Sequence, residues 1–172
     1  MASIGHLVAS AAATRLYGPP DQRVGRTFLF LTALSFLPDL DVVAFAFGIP
    51  YAHDFGHRGA THSFAFAIIV GCITWAWSGR HRLAVAAGLV TASHAVLDAF
   101  TDGGLGVALL WPLSSERFFF PWRPLPVAPI GHRFLSGRGL TVALTEVLLL
   151  SPLIVYAVWP LVRSKWRSAV AR

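Results

Sequence analysis

The sequence predicts an all-α, polytopic membrane protein: a bundle of four or five helices that forms a single domain over residues 1–172. Hydrophobic residues make up 55% of the chain, and the mean hydropathy is +0.62. Charged residues make up only 13%, about half of the roughly 25% found in soluble domains. Several stretches also approach the roughly 20 apolar residues that a membrane-spanning helix requires.

Five segments are predicted to be helical, over residues 4–17, 27–47, 60–78, 83–100 and 140–162. The third lies within the longest stretch without Asp, Glu, Lys or Arg, which runs from Gly59 to Gly79. The first is short, and it could be a tilted span or an interfacial helix. A signal peptide fits it poorly, because no basic region precedes its apolar part. Residues 102–138 are rich in Pro, Phe and Trp, which predicts an interfacial loop.

The net charge of +6 comes from 14 basic and 8 acidic residues. In a soluble protein this balance would indicate a nucleic-acid partner. Here the arginines separate apolar segments and no nucleic-acid-binding motif is present, so we expect no such partner. The positive-inside rule places residues 18–26 in the cytoplasm, with nine basic residues inside and five outside. The polar motifs of the chain then lie at the outer side.

Seven histidines and eight acidic residues need an explanation in so apolar a chain. Ionisable groups at membrane depth are costly, and they usually face a bundle interior or an aqueous cavity. The candidate site residues fall in a few short motifs: His6, Asp39, Asp41, His57, Arg58, His62, His94 and Asp98.

His94 and Asp98 are four residues apart, so a helix brings their side chains to one face with Cβ atoms about 5–6 Å apart. The two histidines of the helical zinc motif of metalloproteases have the same spacing. A His nitrogen and a carboxylate oxygen in this arrangement can bind one metal ion. The alternative is a His–Asp hydrogen bond that satisfies two buried groups without a metal.

Asp39 and Asp41 follow Pro38, which removes a helical hydrogen bond and disrupts the turn. Broken helix inside a membrane is tolerated where it lines a cavity. Two neighbouring carboxylates repel each other unless a cation lies between them. The alternative is that these aspartates cap helix ends at a break.

In the motif HRGATHS, Gly59 permits a turn, and Thr61 or Ser63 can cap the helix that follows. His57 and His62 are five residues apart, so they cannot share a helix face. We expect His57 in the loop and His62 in the first turn, pointing into the bundle; the alternative is that His62 is an interfacial loop residue. Nitrogen and oxygen ligands without a thiolate suit zinc, manganese or iron.

Four features together resemble a bacterial and archaeal family of inner-membrane metal-dependent hydrolases, some of whose members are described as LexA-binding. They are His6, LPDLD (residues 37–41), HRGATHS (57–63) and SHAVLDAFTDGG (93–104). That family is distantly similar to zinc-dependent phospholipase C, which implies a membrane-embedded phospholipase C/nuclease-like fold and an inner-membrane location in a prokaryote. The helical His-x-x-x-Asp motif of zinc-dependent phospholipase C is matched by His94 and Asp98. Asp39 or Asp41, with His62 and His6, would occupy further ligand positions.

The resemblance implies hydrolysis of a phosphoester or ester of a membrane lipid or lipid-linked substrate, by a water that one or two divalent metal ions activate. We expect zinc first, with manganese or iron possible. Of Asp39 and Asp41, one would bind metal and the other would be the general base, with Arg58 holding phosphate or else reaching lipid headgroups. His57 joins the expected ligands. The alternatives are a metal- or proton-coupled transporter and a non-catalytic membrane scaffold.

Overall fold

The computed structural model describes residues 4–128 and 135–159, and this part of the chain is helical without β-strands. Six α-helices are present in it: α1 (Ile4–Tyr17), α2 (Val24–Phe36), α3 (Phe64–Ser78), α4 (His81–Ala99), α5 (Gly137–Leu149) and α6 (Ser151–Trp159). Three segments are 3-10 helices: Asp21–Arg23, Leu37–Phe47 and Ala60–His62. The predicted all-α membrane architecture is confirmed.

The first long span consists of α2 and the 3-10 helix that continues it. Together they cover Val24–Phe47, 24 residues with a mean hydropathy of 1.8. Pro38 was expected to break this span, but the chain tightens from α to 3-10 geometry there and continues. The segment ends at Gly48, whose φ of 73° lies in the left-handed region that glycine tolerates best. The two aspartates therefore lie within a continuous apolar span.

Helix α3 is shorter than the predicted segment 60–78. Ser63 caps it, because the Ser63 hydroxyl accepts a hydrogen bond from the Phe66 amide at 3.1 Å, so the α-helix begins at Phe64. Its 15 residues cover about 22 Å at 1.5 Å per residue, less than the roughly 30 Å of a bilayer core. In the described residues, two helices are long and apolar enough to cross a membrane, Val24–Phe47 and His81–Ala99.

The predicted helix over residues 140–162 is two helices in the structure. Helices α5 and α6 meet at a bend of 67° next to Pro152, which lacks an amide donor and disfavours helical geometry in the residue before it. If the bent pair is one broken span, the count of spans rises to three. The predicted end of this helix at Val162 lies outside the described residues.

The bundle core forms where α1, α2 and α4 pack together, and α3 packs against α4 and adds Val70 to this core. Leu31, Ala87 and Val90 are buried at its centre. Helix α1 contacts both α2 and α4, so it is a member of the bundle. Large apolar side chains cover the outside, among them Ile68 and Trp77, as expected for a surface in contact with lipid.

Short connections make α1 antiparallel to α2 and α3 antiparallel to α4. The start of one helix therefore lies beside the end of its neighbour. The starts of α1 and α3 lie with the end of α4, and residues 101–128 cover this end. The amide of Ala108 donates to Arg58 O at 3.0 Å, and the amide of Phe64 donates to Leu109 O at 3.0 Å. We call it the site end, because all the polar motifs meet there.

Labelling of single cysteines tests the membrane orientation. In a Cys72→Ser background, we expect Leu113→Cys, at a 92% exposed position of the site end, to react with an impermeant maleimide on intact cells. Gln22→Cys, in the short α1–α2 connection at the opposite end, should react only after permeabilisation. Equal labelling of both positions from outside contradicts the predicted topology.

A second prediction concerns the close approach of α3 and α4. A Cβ at Gly71 would lie 3.2 Å from Ala84 O, and one at Gly88 would lie 3.3 Å from Ala67 O. Gly71→Ala and Gly88→Ala should each destabilise the protein by about 1–2 kcal/mol, because both contacts are with helix backbone. Thermal unfolding in detergent measures this. Gly25→Ala is the control, since a Cβ there meets nothing within 4 Å; equal loss in all three variants contradicts the packing argument.

Candidate metal centre

Four buried side chains from three segments bring their ligand atoms together at the site end: Asp39 Oδ1, His62 Nε2, His94 Nε2 and Asp98 Oδ2. We call this group the quartet. His94 Nε2 lies 3.1 Å from His62 Nε2, 3.3 Å from Asp39 Oδ1 and 3.9 Å from Asp98 Oδ2. His62 Nε2 lies 3.5 Å from Asp39 Oδ1 and 3.7 Å from Asp98 Oδ2. All four atoms lie within 4.8 Å of one another.

These separations suit a tetrahedral divalent ion. Zinc binds His nitrogen and carboxylate oxygen at about 2.0–2.1 Å, so neighbouring ligand atoms of a tetrahedral site are about 3.3 Å apart. The five distances given above range from 3.1 to 3.9 Å. The donor set is two imidazoles and two carboxylates, which is a chemistry that zinc, manganese or iron accepts.

The protonation of the two imidazoles strengthens the argument. His94 Nδ1 lies 2.7 Å from the carbonyl of Ser35, and a carbonyl can only accept, so Nδ1 has the proton. His62 Nδ1 lies 3.1 Å from Asp41 Oδ2 and needs its proton for the same reason. In neutral rings both Nε2 atoms then present lone pairs to each other at 3.1 Å. Such a contact is repulsive unless a metal ion or an additional proton lies between the two nitrogens.

The Asp39 carboxylate depends on the same protonation states. Its Oδ1 atom is buried, and the two imidazole nitrogens within 3.5 Å of it have no proton to donate when both rings are neutral. A buried carboxylate oxygen without a donor is costly. Coordination of a cation would remove this cost.

Asp41 has a different role, because donors already surround its carboxylate. Its Oδ1 accepts from His57 Nδ1 at 2.6 Å, and its Oδ2 accepts from the Arg58 amide at 3.1 Å and the Thr61 hydroxyl at 2.7 Å. His62 Nδ1 is the fourth contact. A 3-10 helix has three residues per turn, so residues two apart point in different directions. Asp39 therefore faces the quartet, while Asp41 holds His62 from behind.

Metal-binding histidines commonly donate their second nitrogen to a carboxylate or a backbone carbonyl, which fixes the ring and its tautomer. Asp41 does this for His62 and the Ser35 carbonyl does it for His94. Asp41, His57 and His62 also form a second group with ligand atoms close enough for a metal. The hydrogen-bond donors around Asp41 make the quartet the better site.

Arg58 does not occupy the phosphate-binding position that the sequence suggested. The residue is 1% exposed, which also excludes contact with lipid headgroups. Its Nε forms an ion pair with Asp98 Oδ2 at 2.9 Å, and Nη1 and Nη2 donate to Gly103 O and Thr101 Oγ1. Its φ of 63° is left-handed, a costly conformation that directs the amide to Asp41 and the guanidinium to Asp98. Arg58 is thus a positioning residue.

His6 lies beside the quartet, outside the group of ligand atoms. Its ring is fully buried and stacks on His94, with centroids 4.1 Å apart and 7° between the planes. Neither ring nitrogen has a hydrogen-bond partner among the described residues. Of the predicted ligands, the structure thus brings Asp39, His62, His94 and Asp98 together. It places Asp41 and His57 one step behind them and His6 against the ring of His94.

Sequence reasoning assigned no role to Arg117, which fastens the loop before His57. The Arg117 guanidinium donates to the carbonyls of Tyr51, His53 and His57 at 2.9–3.0 Å. Burial lowers the pKa of this guanidinium, and Tyr51 and Asp54 oppose that shift. No local pattern marks this arginine, because its acceptors are backbone atoms about 60 residues away in the sequence.

Comparison with known proteins gives an assignment to a family. The profile of the family described as "YdjM inner membrane protein" matches residues 1–168. Among curated relatives, "Inner membrane protein YbcI" of Escherichia coli (strain K12) is 41% identical over 122 residues, which cover 67% of this chain and 70% of that protein. No solved structure matches the chain.

The quartet predicts about one divalent ion per chain in the purified protein. His62→Ala and His94→Ala should each remove most of it, because each deletes one of four ligands. Asp41→Asn should weaken the metal affinity by about 10–100-fold through loss of the partner that orients His62. Elemental analysis after dialysis against graded chelator measures both effects. His81→Ala, outside the quartet, is the control, and equal metal content in His81→Ala and His94→Ala rules out the site.

Proposed function

The chain belongs to the YdjM inner membrane protein family, and we propose that it is a membrane-bound metal-dependent hydrolase. The family and the curated relative are both named as inner membrane proteins, and the chain has apolar helices long enough to cross a membrane, so it is an inner-membrane protein. The proposed substrate is a phosphoester or ester of a lipid or lipid-linked molecule, and the proposed cofactor is one divalent ion, zinc first. The likeness to the phospholipase C fold stays a prediction.

One observation supports the proposal most strongly: the Nε2 atoms of His62 and His94 face each other at 3.1 Å while both Nδ1 atoms are used as donors. Asp39 and Asp98 add two carboxylates at the same point. A merely structural polar core would pair donors with acceptors. With both rings neutral, acceptor faces acceptor here, and a cation between the two nitrogens removes the conflict.

A divalent ion bound there supplies Lewis acidity, which activates water and neutralises negative charge that develops on a phosphoryl or carbonyl oxygen. The chain's own residues supply the rest. Asp39 is the member of the quartet whose side chain reaches the surface, with 10% exposure against 0% for His62, His94 and Asp98. We therefore place substrate approach at Asp39.

We assign the proton-accepting role to Asp39 and not to Asp41. Four donor contacts occupy both oxygens of the Asp41 carboxylate. A general base needs an oxygen within hydrogen-bond reach of the reacting water, and Asp41 has none to spare. Asp39 would bind the ion through Oδ1 and accept the proton through Oδ2, since its side chain is the least buried of the quartet at 10%.

The surroundings of the quartet favour a lipid substrate. At the site end, Phe47 is 78% and Leu113 is 92% exposed, so apolar side chains border the approach. A cavity of about 270 Å³ lined by apolar residues, among them Phe64 and Ala99, lies at this end. These two residues are close neighbours in sequence of His62 and Asp98, although no member of the quartet lines the cavity. A transporter would need polar groups across the bilayer, and both candidate metal groups of the described residues lie at the site end.

Turnover tests the proposal. Purified protein in lipid nanodiscs, incubated with phospholipids and lipid diphosphates, should release headgroup or phosphate, and chelator should abolish the release. Asp39→Asn should lower the rate at least about 100-fold, because it removes both a ligand and the base. Asp54→Asn is the matched control, since the Asp54 carboxylate accepts a hydrogen bond from the Ser115 hydroxyl at 2.9 Å and is not a member of the quartet. Metal flux in vesicles without turnover of any lipid would favour a transporter instead.

A further inference from the structure

Glu146 is a buried carboxylate for which the proposed reaction has no use. It lies in α5 and is 0% exposed. Its Oε2 atom accepts hydrogen bonds from the amides of Ile4 at 2.6 Å and Gly5 at 3.0 Å, across more than 140 residues of sequence. These amides belong to the first turn of α1, where helix amides lack partners within the helix. Glu146 thus caps α1 from another helix, with its charge at the favourable end of the helix dipole.

The first turn of α1 is also connected to the quartet. His6 follows Gly5 directly and stacks on His94, while Phe36 contacts the His6 ring edge-on at 5.2 Å. A second connection passes through Ser35. The Ser35 hydroxyl donates to the His6 carbonyl at 3.5 Å, and the Ser35 carbonyl accepts from His94 Nδ1. Movement of this turn would disturb both the plane of His94 and its tautomer-fixing hydrogen bond.

Among the helices α1 to α5, helix α5 packs against α1 alone. Its buried residues Gly139, Val142 and Glu146 form one face. Packing alone would be satisfied by an apolar residue at position 146, and a carboxylate inside an apolar helix is costly without a compensating partner. The choice of glutamate is explained by the two amides that it holds.

We propose that Glu146 is a positioning residue of the metal centre. It fixes the first turn of α1, and through His6 and Ser35 it sets the orientation of His94. The inference rests on the proposed metal-binding function of the quartet. It extends that function by making the C-terminal broken helix part of the site's support.

The test replaces Glu146 with leucine, which retains the bulk but cannot accept a hydrogen bond. Competition with a chelator measures the affinity for Zn²⁺. Glu146→Leu should weaken it about tenfold, at the low end of what loss of an outer partner costs a metal site. Glu146→Gln keeps one acceptor oxygen, so its affinity for Zn²⁺ should fall less than that of Glu146→Leu. Glu116→Gln changes the chain's other glutamate, which is exposed in the loop, and should leave the affinity unchanged.

A double-mutant cycle with His6→Ala identifies the route. If Glu146 acts through the His6 ring, the loss of Zn²⁺ affinity in the double variant should be smaller than the sum of the two single losses, because His6→Ala removes the ring contact and leaves only the connection through Ser35. Fully additive losses would overturn the proposed route. Wild-type affinity in Glu146→Leu would overturn the proposal as a whole.

Hydrogen exchange separates this inference from the proposed function. In metal-free protein, Glu146→Leu should accelerate exchange in the peptide that covers the first turn of α1 and leave α3 unchanged, because the amide acceptor is lost. Unchanged exchange at this turn contradicts the capping role, whatever the metal affinity. If the wild-type protein binds no Zn²⁺ while Glu146→Leu still accelerates exchange at the first turn of α1, the proposed metal centre is contradicted and the capping role of Glu146 is supported.

Discussion

The hydrogen bonds of the Asp41 carboxylate are the constraint on which the polar centre depends. A carboxylate inside an apolar span must find donors, because burial without them costs several kcal/mol. The donors come from the loop and the 3-10 turn over residues 57–62. Asp41 therefore ties this turn to the first span. It also fixes the tautomer of His62 by accepting a hydrogen bond from the protonated Nδ1, so Nε2 presents its lone pair toward His94.

Much of this arrangement can be predicted from the sequence. Apolar stretches identify the helices, and their alternating direction brings the polar motifs to one end of the bundle. The spacing of His94 and Asp98 places both side chains on one face of α4, and both are buried in the quartet. The cost of isolated charges in lipid explains why such motifs meet, since each compensates the others.

Other features depend on geometry that no local pattern encodes. The division of roles between Asp39 and Asp41 follows from the 3-10 winding after Pro38, which residue types alone do not specify. Arg58 was expected to face phosphate, but its left-handed backbone turns the guanidinium toward Asp98. The start of α3 at Phe64, later than the predicted residue 60, follows from the Ser63 cap. Glu146 meets α1 across nearly the whole chain, and a single sequence does not reveal such distant contacts.

The cap on α1 also has a consequence for biosynthesis. The residues of the quartet lie between positions 39 and 98, whereas the carboxylate that caps the first described turn of α1 is made about fifty residues after them. A nascent chain therefore contains every proposed ligand before it has the support proposed for one of them. On that proposal, tight metal binding would wait until the C-terminal helices have been inserted. Chains that stall before that point would release the ion more readily than finished ones.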